Sequence, residues 1–129
     1  MVQSFKDLKV WQKARLLTKD VYIATKDFPV EERYGLTSQI RRATISIPSN
    51  IAEGSSKRST REFLRFLNIS YGSLAELEAQ LILANDLNFL SEKQLVDITA
   101  NIEEIGRMVN GLIRSLEEKT ELRTLNSGL

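Results

Sequence analysis

Between residues 36 and 53 the sequence LTSQIRRATISIPSNIAE carries two stripes that a helix alone can separate. Leu36, Ile40, Ala43, Ile47 and Ile51 recur at steps of four and three, which lines them along one side of an α-helix. Beside them run Gln39, Arg42, Ser46, Asn50 and Glu53. This second stripe is polar but mostly short, whereas a solvated helix face ordinarily carries long charged chains. Short hydroxyls and amides suit a face that another backbone approaches closely. Pro48 falls inside the helix, removes one donor and presses on the Thr44 carbonyl, so a kink is expected. Gly54 is placed to end the helix in a left-handed cap.

The rest of the chain repeats the same period. Ser4 is expected to cap a first helix, reinforced by Asp7, and Pro29 to stop it. Val10, Ala14, Leu17, Val21, Ala24 and Phe28 form its apolar stripe. Ser59 and Glu62 make the S-x-x-E start of a third helix, with Phe63, Leu67, Ser70, Leu74, Leu77, Leu81 and Ala84 as its main seam. A second apolar set on that helix, Leu64, Tyr71, Ala75 and Ile82, lies on another side, so self-association is expected. Ser70, Gly72, Ser73 and Ala75 are expected to meet the short-chained face of the second helix. Ser91 and Gln94 open a fourth helix along Leu95, Ile98, Ile102, Ile105, Val109, Leu112 and Leu116.

Four amphipathic helices, approximately 5–27, 36–53, 60–88 and 92–119, predict one all-α domain over residues 1–129. Short connections predict an up-down-up-down four-helix bundle, with Asn126–Leu129 as a frayed tail. The chain has no cysteine and no histidine, which removes thiolate chemistry, the usual neutral-pH base and the commonest transition-metal ligand. No catalytic constellation is visible, and a non-enzyme without cofactor or metal is expected. No secretory pattern and no long apolar run occur, so a cytoplasmic protein with no membrane partner is expected.

The net charge of +1 hides a division. Residues 33–65 carry seven cations against Glu53 and Glu62, and residues 76–121 carry ten acids against four cations. Such a chain can offer one sign of charge to a polyanion, or pair its own two ends between subunits.

Several segments together resemble a known family. They are FKDLKVW at 5–11, FPVEERYGL at 28–36, QIRRA at 39–43, SIPSNIAEG at 46–54 and GSLAELE at 72–78. The chain resembles the four-helix-bundle family named for a protein encoded within intervening sequences of bacterial 23S ribosomal RNA genes. More distantly it is similar to the accessory protein of diversity-generating retroelements, a basic pentamer that works with a reverse transcriptase and nucleic acid. The resemblance implies a left-handed bundle, a homopentameric ring around a central channel and an association with RNA.

Three sets of residues are candidates for chemistry. Arg58, Arg61 and Arg65 are spaced by three and four, and with Lys57 they form a basic cluster near a helix start. Arg41 extends it. Clustered arginines beside open backbone amides suit phosphate, and the cluster is assigned to nucleic acid, the alternative being a solvated face or a pairing with a neighbour's acids. Gln39, Arg42, Ser46, Asn50, Glu53 and Glu78 form the second set, read as a structural polar network around a buried Arg–Glu pair, the alternative being a polar ligand site. Glu76, Glu78, Glu103 and Glu104 are the third; a carboxylate-only magnesium site is the alternative to solvated helix faces. Partners are thus a second copy of the chain and RNA or an RNA–protein complex, with an interaction adaptor as the alternative function.

Overall fold

A computed structural model describes residues 4–126. It contains four α-helices: α1 Lys9–Thr25, α2 Leu36–Ser55, α3 Thr60–Asp86 and α4 Glu92–Asn126. Short 3-10 turns at Phe5–Asp7 and Val30–Glu32 precede α1 and α2. Among the described residues there is no strand, and no helix is long and apolar enough to cross a membrane. Backbones approach closely between α1 and α2, α2 and α3, α3 and α4, and α1 and α4, but across neither diagonal. That adjacency is a four-cornered bundle in which successive helices run antiparallel.

The stripes read from the sequence meet in the centre. Leu17 and Val21 of α1, Ile40, Ile47 and Ile51 of α2, Leu67, Leu77 and Leu81 of α3, and Ile105 and Val109 of α4 have almost no exposure. Each such aliphatic side chain contributes about 1.5–3 kcal/mol by leaving water. Beyond Val109 on α4 the seam continues through buried Ile113, and Leu112 is only partly covered.

Helix ends differ from expectation in instructive ways. Ser4 caps the first 3-10 turn, accepting from the Lys6 amide at 3.2 Å, and α1 starts only at Lys9. α1 stops at Thr25, short of Pro29, so Phe28 is buried from outside the helix. Gly54 is not a left-handed cap: it lies within α2, buried, and a Cβ there would meet the Phe66 Cβ at 2.7 Å. It is a point of close approach of α2 to α3. The one non-glycine residue with positive φ among those described is Asn88 (64°), in the α3–α4 turn, where Asn85 Nδ2 donates to the Leu90 carbonyl at 3.0 Å. The capping box at α4 is complete, Gln94 N to Ser91 Oγ at 3.1 Å and Ser91 N to Gln94 Oε1 at 3.0 Å. At α3 only the Ser59 half forms, at 3.0 Å.

α4 continues past Lys119 to Asn126; residues 127–129 of the expected frayed tail lie outside the described residues. Asn110 donates to the Tyr71 hydroxyl at 3.4 Å, which fixes the level of α4 against α3. Counting outward from that pair brings Thr60 level with Glu121, so the end of α4 overhangs the start of α3 by about 8 Å.

Candidate nucleic-acid interface

The α2–α3 corner is built by a tight helix crossing. Ser70 Oγ donates to the Ile47 carbonyl at 2.7 Å, and Ser46 Oγ and Ser73 Oγ lie 2.8 Å apart. Asn50 Nδ2 donates to both the Ser46 carbonyl and its hydroxyl, at 2.8 and 2.9 Å. These short side chains let the backbones close until Gly54 rests on Phe66. The chain then turns through Ser56–Ser59 and enters α3.

Phe66 organises the basic residues of this corner. It is buried, yet the Arg65 guanidinium carbon lies 4.5 Å from its ring centroid and Lys57 Nζ 5.4 Å away. The negative face of an aromatic ring attracts a cation, so one residue of α3 gathers a lysine from the loop and an arginine from its own helix. Arg65 also reaches Glu62 at 3.4 Å, and Lys57 stands 4.0 Å from Glu53; both pairs are solvent exposed and weak. Arg58 and Arg61 are exposed and form no ion pair among the described residues. Arg58 precedes the Ser59 cap, so it belongs to the loop and does not share a helical face with Arg61 and Arg65. Sequence spacing missed Phe66, although its place beside Arg65 was a usable signal.

Arg41 does not belong to this corner. Fourteen residue steps along α2 separate it from Ser55, about 20 Å along the axis. Its Nε donates to Thr25 Oγ1 at 3.0 Å, a terminal nitrogen donates to the Tyr22 carbonyl at 3.4 Å, and the guanidinium stacks 4.4 Å from the Tyr22 ring. Arg41 caps the end of α1.

The expected polar network exists only in part. Ser46 and Asn50 are joined to Ser73, but no buried Arg–Glu pair accompanies them. Gln39, Arg42 and Glu53 are exposed, and neither Gln39 nor Arg42 makes a polar contact among the described residues. Glu78 faces a different neighbour. It lines a groove of about 470 Å³ between α3 and α4, with Tyr71, Ala75, Glu103, Arg107 and Arg114. Gly72 and Ala75 also turn away from the α2 crossing; a Cβ on Gly72 would meet nothing within 4 Å. The four carboxylates of the third set do not converge. Glu104 pairs with Lys13 of α1 at 3.2 Å, Glu76 accepts from Gln80 at 3.4 Å, and no metal-binding group of three or more ligand side chains occurs among the described residues.

The sequence matches the model for the 23S rRNA-intervening sequence protein family over residues 6–111. The chain belongs to that family. Its fold is similar to the 1.70 Å crystal structure of a protein with unknown function from the S23 ribosomal protein family of Bacteroides thetaiotaomicron VPI-5482. The TM-score is 0.73 at 23% identity, covering 81% of this chain and 97% of the other. No curated protein matches the chain. In this intervening-sequence family member the segment SIPSNIAEG is therefore a packing device: Ser46, Asn50 and Gly54 each serve the α2–α3 contact.

Proposed function

We propose that this protein is a non-enzymatic, RNA-associated bundle that assembles with copies of itself in the cytoplasm. It engages the phosphate backbone of RNA, or of an RNA–protein complex, through Lys57, Arg58, Arg61 and Arg65. The observation that carries the reading is the corner itself. Two exposed arginines without ion-pair partners stand beside two cations gathered on one buried ring. Exposed guanidinium groups of this kind position phosphate without reading bases. No aromatic side chain is exposed at the corner to stack on a base, which favours backbone and shape over sequence. The resemblance drawn from the sequence adds a left-handed bundle and a pentameric ring, in which each subunit's modest charge is multiplied.

The test is retention of RNA on a filter across a salt series. The wild-type chain is expected to bind more weakly as salt rises, and Arg58→Glu with Arg61→Glu to abolish retention. Unchanged retention by the double variant overturns the reading. A second reading, an interaction adaptor, is favoured by the exposed apolar side chains of α3, Ile69, Ile82 and Leu83. On that reading the same double variant breaks the assembly in light scattering, and the wild-type chain retains no RNA.

A further inference from the structure

Two unpartnered helix faces complement each other in spacing, shape and charge. The outer side of α2 carries Ser38, Arg42, Ile45, Ser49 and Ala52 at alternate steps of four and three. The outer side of α3 carries Ile69, Gly72, Glu76, Ala79 and Leu83 at alternate steps of three and four. That alternation keeps a seam on one side of a helix and is the spacing by which helices interlock. All of these residues are exposed except Ala52, which is half-covered.

Each face holds what the other lacks. Ile45 is 43% exposed, a large apolar side chain without a cover. Gly72 is a hole in the middle of a long helix, with nothing within 4 Å of where its Cβ would stand. Glycine there weakens the helix and serves no contact inside the bundle. Ile69 is 41% exposed, and beside Ile45 runs an apolar groove of about 350 Å³ whose walls include Trp11, Pro48, Ser49 and Ala52. Arg42 has no polar partner and Glu76 no cationic one among the described residues.

One antiparallel register satisfies all of these at once. Setting Arg42 of one copy opposite Glu76 of the next brings Ile45 over Gly72, Ser49 beside Ile69 and Ser38 beside Ala79. The same level already relates α2 and α3 inside a subunit. Arg42 lies one turn before Ser46, Glu76 three residues after Ser73, and the two serines touch. Even so, no ion pair joins Arg42 to Glu76 within the chain.

We infer that the outer face of α2 on one copy docks antiparallel against the outer face of α3 on the next, with Ile45 seated in the gap at Gly72 and Arg42 paired with Glu76. The contact joins two different patches, so each copy offers one free face of each kind. The two faces belong to neighbouring corners of the bundle and do not lie back to back, so repetition curves toward a closed ring. This inference rests on the self-association in the proposed function and assigns it a surface that leaves Arg58 and Arg61 free.

Sedimentation velocity at tens of micromolar chain tests it. The wild-type chain is expected to sediment as an oligomer. Gly72→Leu, which fills the gap without touching the bundle interior, is expected to weaken association at least tenfold while the helical circular dichroism stays unchanged. Arg42→Glu and Glu76→Arg are each expected to weaken it, and an equimolar mixture of the two variants to form mixed oligomers, since every contact between unlike variants carries one opposite-charge pair. An ion pair within one chain is not restored by mixing, so a mixture that stays dissociated overturns the inference. Assembly that survives all three substitutions also overturns it and leaves the self-association reading standing. A wild-type chain that sediments alone removes both.

Discussion

Thr18 on α1 holds its hydroxyl 3.3 Å from the carbonyl of Thr44 on α2, the carbonyl that Pro48 leaves without a helical donor. The same hydroxyl lies 3.0 Å from the Ala14 carbonyl, so its single proton serves two acceptors. The proline inside α2 is thus tolerated because a neighbouring helix supplies the donor that it removes. Thr18→Val is expected to cost about 1 kcal/mol, the ordinary net worth of one hydrogen bond. In a Pro48→Ala background the restored amide can reach Thr44 itself, and the cost of Thr18→Val should shrink. Urea unfolding of the four proteins in this cycle measures the coupling, and strictly additive effects would contradict the account.

Gly54, at the α2–α3 crossing, and Gly72, on the outer side of α3, should respond with opposite signs. Gly54→Ala places a methyl 2.7 Å from the Phe66 Cβ and is expected to destabilise by about 1–3 kcal/mol, as overpacking does. Gly72→Ala meets open space and should stabilise the dilute chain by up to about 1 kcal/mol through helix propensity. Urea midpoints of the two variants check both signs.

Arg41→Ala should behave as a structural change. It removes a cation from the end of α1 and from the Tyr22 ring, for a loss of about 1–2 kcal/mol in thermal or urea unfolding. RNA retention and its salt dependence are expected to stay at wild-type values. A loss of retention with no loss of stability would return Arg41 to the interface.

Phe66→Leu keeps an apolar plug against Gly54 but takes away the ring on which Lys57 and Arg65 rest. All four charges remain, so the slope of RNA affinity against salt should hold while affinity falls by about three- to tenfold, the cost of leaving two long side chains unordered. Arg58→Gln should lower that slope by about 0.7–0.9, one phosphate contact. Filter binding over a salt series separates the two effects.

The sequence disclosed the four helices because each carries an apolar stripe of helical period, and the stripes are what the bundle buries. It disclosed helix ends less well, since ends depend on neighbours. Nothing near Thr25 announces that α1 stops there; the Arg41 side chain that donates to the Tyr22 carbonyl near its end comes from another helix. Gly54 shows the limit from the other side. A left-handed cap and a close helix approach both require a missing Cβ, and only Phe66, twelve residues on, tells which is present. For the polar residues, periodicity supplied the face but not the level. The Ser46–Ser73 contact puts Glu76 opposite Arg42, and Glu78, two residues further along, turns toward α4. The basic corner was visible as charge, but its organisation around a buried ring was not, because Phe66 reads in sequence as one more core residue.

The level of α4 against α3 has an electrostatic consequence. Counted from the Tyr71–Asn110 contact, Glu117, Glu118 and Glu121 stand level with residues 60–64 at the start of α3, with Lys119 among them. The start of α3 therefore has the cations of the loop from α2 on one side and an excess of carboxylates on α4 on the other. A polyanion crossing toward α4 would be repelled there, whereas one leaning along the α2–α3 edge would meet the cations. The direction of approach is written into the height at which one pair of helices is locked.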